Sequence, residues 1–168
     1  MNINLRLVKK EDAQFILELR INNELNKFLS AVANDLNKQI KWIEDYKQRE
    51  LKREEHYFII ESKNSEKHGT IRAYDFRKDS FCWGSWIVKK DSPIYVGIES
   101  VLLVYKFGFY DLGFNKSHFE VRKANERVVS FHKRFGAGIV GSDELNYYFE
   151  INKETFEEAE QKYKKYST

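Results

Sequence analysis

Residues 125–137 read NERVVSFHKRFGA, and this stretch predicts a short amphipathic helix with a clear beginning and end. Asn125 is a residue type favoured just before a helix, apolar side chains recur as far as Phe135, and Gly136 is typical of the residue that follows one. Immediately upstream, Ser117–Arg122 alternates apolar and polar side chains, which indicates a strand. A strand followed closely by a capped helix therefore organises this part of the chain.

The remaining elements can be read outward from this pair. Short runs rich in β-branched and aromatic residues indicate strands, and apolar residues at helical spacing indicate helices. The other predicted elements are a strand at Asn2–Val8, a helix from Asp12, a helix through Ile40–Leu51, strands at Tyr57–Glu61, Thr70–Phe76 and Phe81–Val88, a buried helix within Val101–Phe114, two short strands near Ile139 and at Tyr147–Ile151, and a helix from Lys153. This order predicts an α+β fold in a single domain, 1–168, with a mixed, mostly antiparallel central sheet flanked by helices.

Composition excludes several classes of function. The 29 Lys and Arg residues nearly balance 26 Asp and Glu residues, so the net charge of +3 gives no large positive potential for binding a nucleic-acid backbone. Cys82 is the only cysteine, and the four histidines lack metal-ligand spacing, so we expect no disulfide and no metal. The N-terminal segment is charged and no stretch reaches about 18 apolar residues, which predicts a cytoplasmic protein without a membrane partner.

The element order and the 125–137 stretch resemble the Gcn5-related N-acetyltransferase (GNAT) family over essentially the whole chain. The residues that match the family pattern on this helix are Asn125, Phe131, Phe135 and Gly136. Ser92–Ser100 takes the place of the family's pyrophosphate loop, where amides at a helix N-terminus favour phosphate, although only Gly97 agrees with its glycine-rich pattern. The resemblance implies a GNAT-like domain that transfers the acetyl group of acetyl-CoA directly to a small amine.

The resemblance also implies two sets of ligand-binding residues. Those expected to contact acetyl-CoA are Trp86, Ile87, Val88, Tyr95, Val96, Gly97, Ile98, Asn125 and Phe131. Those expected to contact the acceptor are Arg20, Asn23, Asn26, Tyr74, Trp83 and Glu99. Arginine can hold a phosphate or carboxylate through paired hydrogen bonds, and asparagine amides suit sugar hydroxyls. Because Trp83 and Trp86 are three residues apart in a predicted strand, we expect them on opposite faces, with at most one in the acceptor pocket.

Three side chains are candidates for proton transfer. In many family members a Tyr on the helix after the last long strand protonates the departing thiolate, and His132 occupies that position here. An imidazole with a pKa of about 6.5 is partly protonated near neutrality and suits this role. The alternative is a surface histidine beside Lys133 and Arg134. Glu120 and Asp75 are the candidate bases that would deprotonate the incoming ammonium. For Glu120 the alternative is a solvated face of the strand, and a chain of water molecules could take the place of either carboxylate.

The acceptor is predicted from a narrower resemblance. The segment Leu19–Asn22 and the Trp-rich central strand resemble acetyltransferases that modify nucleotide-linked amino sugars for surface polysaccharide biosynthesis. One alternative is an N-terminal acetyltransferase of the ribosomal-protein type, which would need a groove for an extended peptide. Another is a coenzyme-binding module without catalysis, and the sequence leaves homodimer formation open.

Overall fold

The computed structural model describes residues 1–166, which form a seven-stranded sheet flanked by five α-helices. The strands are β1 (Ile3–Leu7), β2 (His56–Ser62), β3 (Lys67–Tyr74), β4 (Ser80–Val88), β5 (Lys116–Arg122), β6 (Gly138–Ser142) and β7 (Asn146–Asn152). The helices are α1 (Ala13–Ile21), α2 (Leu36–Leu51), α3 (Ile94–Lys106), α4 (Glu126–Arg134) and α5 (Lys153–Lys162). The predicted α+β class is confirmed, while the last two residues of the predicted domain lie outside the described residues. Across residues 1–166, no helix has the length and apolar character needed to cross a membrane.

The sheet is antiparallel except at one place. The strand order is β1-β2-β3-β4-β5-β7-β6, and α3 makes the crossover that sets β5 parallel to β4. These two strands pair only at Ser80↔Lys116 and Phe81↔Ser117. Beyond that point β4 continues along β3 and β5 continues along β7. The centre of the sheet therefore opens into a wedge.

Both faces of the sheet are covered by helices. Along β2, Phe58 and Ile60 belong to an apolar cluster that includes residues of α3, α4 and α5. Their neighbours Tyr57 and Ile59 belong to a second cluster, built with α1 and α2. Since successive side chains of a strand point to opposite faces, α1 and α2 lie on one side of the sheet and α3 to α5 on the other.

The long buried helix begins earlier than predicted. Ser92–Ser100 was expected to form a loop, but α3 starts at Ile94, directly after Pro93. Pro93 precedes the helix with an extended ψ of 146°, and its carbonyl accepts a hydrogen bond from the N–H of Val96 at 3.0 Å. Gly136 follows α4 with a φ of +101°, which confirms it as a terminating residue. Gly113, with a φ of +78°, ends the helical stretch that continues from α3 through the π-helix Phe107–Asp111.

Candidate active site

A large cleft lies in the wedge-shaped gap between β4 and β5. Its volume is about 900 Å³, and it is lined by both strands, by α4 and by the segment that joins α1 to α2. On the α4 side its walls include Asn125 and His132, and on the α1–α2 side they include Lys27–Ser30. We call it the wedge cleft. It is thus reached from both faces of the sheet.

A β-bulge in β4 shapes the wall of the wedge cleft. Thr70 pairs with Ile87 but Arg72 pairs with Gly84, so β4 carries one extra residue here, and Ser85 takes a positive φ of +47°. The extra residue reverses the alternation of side chains beyond it. The rings of Trp83 and Trp86, whose centroids are 5.8 Å apart, therefore lie on the same face and both line the cleft. The prediction that they face opposite sides is wrong.

His132 lies at the floor of the wedge cleft and is only 3% exposed. Its ring centroid is 4.4 Å from that of Phe119, 5.3 Å from Trp83 and 5.9 Å from Phe149. Burial lowers the pKa of this imidazole to about 3, because the charged form loses its hydration. Both expectations for its state are wrong: it is not a surface histidine, and it is neutral rather than partly protonated at neutral pH.

The two candidate bases occupy different places. Glu120 is an exposed residue of β5 and lines the wedge cleft. Asp75 follows β3 at the narrow end of the wedge, where its Oδ2 lies 2.8 Å from Nε2 of His118 and 2.7 Å from a guanidinium nitrogen of Arg77. Hydrogen bonds from these two partners lower the pKa of Asp75. Ser80 Oγ completes this chain at 2.8 Å from Nδ1 of His118, so the geometry assigns Asp75 to tying β3, β4 and β5 together, outside the cleft.

The residues expected to contact acetyl-CoA are only partly brought together. Trp86 and Asn125 line the wedge cleft, and the Asn125 side chain is not used to cap α4. Phe131 packs against Trp86 at 5.5 Å between ring centroids. The side chains of Ile87 and Val96 are buried in the core, so they are inaccessible to a ligand and only backbone contacts stay predicted for them.

The start of α3 remains the predicted phosphate site. Tyr95–Ile98 fall in its first turns rather than in a loop, and a Cβ on Gly97 would lie 3.8 Å from the Trp86 ring. The first amides of a helix lack intrahelical partners, and the helix dipole favours anions there. Val88 ends β4 six positions before α3 begins at Ile94. Lys89 and Lys90 follow it, and each is paired with a carboxylate, Lys89 with Asp91 at 3.8 Å and Lys90 with Glu24 at 3.2 Å.

The residues expected to contact the acceptor are also divided. Tyr74 and Trp83 line the wedge cleft, and Arg20 lines an adjoining cavity. Asn26 donates from Nδ2 to the carbonyl of Arg20 at 2.9 Å, so it shapes the segment between α1 and α2. Asn23 is exposed and is not among the residues that line either cavity.

Glu99 has a structural position. It is fully buried in α3, and its carboxylate accepts hydrogen bonds from the backbone N–H groups of Asn2 and Ile3 at 2.8 and 3.1 Å and from the Asn2 side chain at 2.8 Å. A buried carboxylate requires such partners. Glu99 therefore anchors the start of β1 to α3, and the prediction that it contacts the acceptor is wrong.

Arg72 is the functional candidate that the sequence reading missed. It lines the wedge cleft and also a smaller cavity of about 320 Å³, which shares Ser30, Arg72 and Ser85 with the cleft. We call this second cavity the arginine pocket, because Arg20 and Arg72 both line it. The available signal was one cation among the uncharged residues at 70–74, in the middle of a predicted strand.

The floor of the wedge cleft is suited to the thioester end of acetyl-CoA. His132 Nδ1 is buried and has no hydrogen-bond partner among residues 1–166. Buried polar atoms of this kind are normally satisfied, by protein or by a ligand. With the unused amide of Asn125 at the rim, the cleft offers an apolar channel with a few polar groups, which fits a flexible arm carrying amide groups.

Comparison with known proteins agrees with this geometry. A family model described as "Acetyltransferase (GNAT) domain" matches residues 2–138. The solved structure of apo FdhC, described as a nucleotide-linked sugar GNAT, is similar with 43% identity and a TM-score of 0.90, covering 98% of this chain and 94% of that chain. No curated protein matches the sequence.

A more distant structure has the same fold. Spermidine N-acetyltransferase from Vibrio cholerae, solved with CoA and spermine, is 14% identical with a TM-score of 0.78, covering 92% of this chain and 98% of that chain. At this identity the likeness speaks for the fold alone. The family match over most of the chain and the similarity at 43% identity show the family and the activity as well. This chain belongs to the GNAT family and is an acyltransferase that uses acetyl-CoA.

Proposed function

We propose that this protein transfers the acetyl group of acetyl-CoA directly to the amino group of a nucleotide-linked amino sugar. The observation that carries the proposal is the wedge cleft, which joins the two faces of the sheet through the gap between β4 and β5. The coenzyme arm can enter beside Asn125 and the acceptor beside Lys27–Ser30. The two substrates then meet in the gap, as direct transfer requires.

The acceptor class is supported by two features. The chain is 43% identical over 98% of its length to a protein described as a nucleotide-linked sugar GNAT. On the α1–α2 side, the cleft also combines a flat ring, Tyr74, with the cations Lys27, Arg72 and Arg122. Aromatic faces stack on sugars and bases, and cations attract the phosphates that link them.

The transfer has a simple balance of bonds. The lone pair of the neutral amine attacks the thioester carbonyl, the C–N bond forms, and the C–S bond breaks. The nitrogen enters as an ammonium, so it loses one proton before the attack and a second one after it. The departing thiolate takes up one proton, and the net reaction releases one to solvent. The protein must therefore accept a proton on the acceptor side of the cleft and stabilise the thiolate on the coenzyme side.

We assign proton acceptance to Glu120. Its carboxylate is exposed to the wedge cleft and lies on the same face of β5 as Arg122, which is the acceptor side. It can take the proton from the incoming ammonium directly or through a water molecule. Asp75 is less suited, because its carboxylate is already held by His118 and Arg77.

His132 contributes in its neutral form. With a pKa of about 3, it cannot serve as an imidazolium acid at neutral pH. A neutral imidazole still carries one N–H, which can donate a hydrogen bond to the thioester or the departing thiolate from the cleft floor. The thiolate then takes its proton from solvent.

The function is tested by release of free thiol from acetyl-CoA in the presence of candidate amines. The panel contains nucleotide-linked amino sugars, spermidine and a peptide with a free N-terminus. Cys82 adds little background, because it is buried and burial raises its pKa to about 11. Acetylation of a nucleotide-linked amino sugar in preference to the other two classes supports the proposal.

Two other outcomes contradict it. Preferential acetylation of the peptide would support the ribosomal-protein type, and thermal stabilisation by acetyl-CoA without thiol release from any amine would indicate a module without catalysis. The role of Glu120 is tested by Glu120→Gln, with Glu144→Gln as a matched control, since Glu144 also lines the cleft. Only Glu120→Gln should lower kcat, by about 10²-fold or more at neutral pH.

A further inference from the structure

The arginine pocket lies beside the wedge cleft, between the sheet and the first two helices. Its walls come from Ile16 and Arg20 of α1, from Trp42 of α2, from the connecting segment, and from Tyr57 and Arg72 of the sheet. Because Ser30, Arg72 and Ser85 line both cavities, one elongated molecule can occupy the two together.

The two arginines have unused hydrogen-bonding capacity. The Nε atoms of Arg20 and Arg72 are buried without a partner among residues 1–166. Arg20 donates from one terminal nitrogen to the carbonyl and hydroxyl oxygens of Ser30, at 2.9 and 3.0 Å. The ion pair of Arg72 is long, 3.8 Å to one oxygen of Glu55, and the other oxygen of Glu55 is 2.5 Å from Arg49. A buried guanidinium N–H without an acceptor costs free energy that a bound oxygen atom recovers.

The pocket favours anions by composition as well. Ten residues line it in the described part of the chain, and they include both arginines but no carboxylate. Arginine donates in a planar fork that matches phosphate oxygens. Trp42 supplies a flat ring at the same pocket, 5.9 Å from the Arg72 guanidinium. A cavity of about 320 Å³ exceeds what one carboxylate fills and can take linked phosphates.

We propose that Arg20 and Arg72 bind the diphosphate of a nucleoside diphosphate-linked acceptor, with its sugar amine directed into the wedge cleft. This inference rests on the proposed function, and it assigns the phosphates to a site across the sheet from the start of α3. The acceptor's phosphates and those of coenzyme A are thereby held on opposite faces. Arg72, which borders both cavities, fixes the distance between the diphosphate and the reacting nitrogen.

The test combines ligand binding with kinetics. Inorganic pyrophosphate is titrated calorimetrically into the protein with coenzyme A at saturation, which removes the coenzyme's own phosphate site from the measurement. The variants are Arg20→Gln and Arg72→Gln. The matched control is Arg134→Gln, since Arg134 is exposed at the end of α4 and lines neither cavity.

We expect each pocket variant to weaken pyrophosphate binding by about tenfold or more, and Arg134→Gln to change it by less than about twofold. With a nucleotide-linked amino sugar, the acceptor KM should rise by a similar factor while the KM for acetyl-CoA stays within about twofold. Arg20→Lys should recover part of the loss, because it keeps the charge without the fork. That variant also separates phosphate binding from disturbance of the segment held through Ser30.

The outcomes separate the two proposals. If pyrophosphate binds the wild type and the pocket variants equally, or binds neither with coenzyme A present, the arginine pocket is not a phosphate site. If a nucleotide-linked amino sugar is acetylated with an unchanged acceptor KM in both variants, the pocket inference fails and the proposed function stands. If no such acceptor is acetylated but pyrophosphate binding depends on both arginines, the proposed function fails and the anion site stands.

Discussion

Mild acid should destabilise this protein through His132. The folded-state pKa of about 3 lies far below the ordinary value of 6.5, so between these limits the unfolded chain binds a proton that the native protein does not. The stability that depends on a neutral His132 is complete above pH 6.5 and is lost progressively as the pH falls toward 3. One such proton corresponds to about 1.4 kcal/mol per pH unit, so the loss from pH 7 to pH 5 is about 2 kcal/mol.

The measurement is urea unfolding at pH 7, 6 and 5 for the wild type and for His132→Asn, without ligands. Asparagine does not titrate, so the variant should be less stable at pH 7 but should lose about 2 kcal/mol less than the wild type on going to pH 5. His56 serves as the internal comparison, because burial also lowers its pKa, and His56→Asn shows how much a second histidine contributes. Parallel pH dependences for the wild type and His132→Asn would refute the reasoning. His132 would then be protonated in the native protein, and its role as an imidazolium acid would return.

Two further predictions concern stability. Asp12 is buried, which by itself raises its pKa, but hydrogen bonds, first among them those of Arg6 at 2.9 and 3.0 Å, lower it to about 2. Asp12→Asn should lower the free energy of unfolding by about 3 kcal/mol at pH 7, measured with urea. The difference in free energy of unfolding between variant and wild type should narrow as the pH falls from about 4 toward 2. A difference that does not change over this range contradicts the prediction. Gly108→Ala would place a Cβ 2.0 Å from the Phe81 ring, so it should lower the free energy of unfolding by about 1–3 kcal/mol or more. Gly138→Ala is the control, because a Cβ there meets nothing within 4 Å. Equal losses of stability in the two variants would argue against this packing.

Much of the fold could be predicted because it is encoded locally. The alternation along Ser117–Arg122 and the glycine at 136 depend on neighbours within a few residues, and the structure reproduces both. The burial of His132 was also within reach. It lies at helical spacing from Val129 and Phe135, both buried, so its position belonged to the inner face of α4. The adjacent cations Lys133 and Arg134 obscured this pattern.

The errors arise where the outcome depends on distant parts of the chain. Glu99 is buried because its partners are Asn2 and Ile3, which are 97 and 96 positions away. The local sequence of α3 does not predict that contact. Arg72 becomes a candidate binding residue only because Arg20 lines the same pocket. The sequence does not show this, since only folding brings a residue of α1 close to the middle of β3.

The bulge at Ser85 shows how the pairing of β4 with β3 controls the arrangement of the site. Strand alternation places Trp83 and Trp86 on opposite faces, and only pairing with β3 reveals the extra residue. Because both indoles turn toward α4, with His132 and Phe119, the coenzyme side of the cleft floor carries aromatic rings and a neutral imidazole. The cleft residues Arg72, Glu120 and Arg122 face the acceptor side instead. This division favours binding of an uncharged thioester on one face and recognition of a charged acceptor on the other, and it places the base beside the amine that must lose a proton.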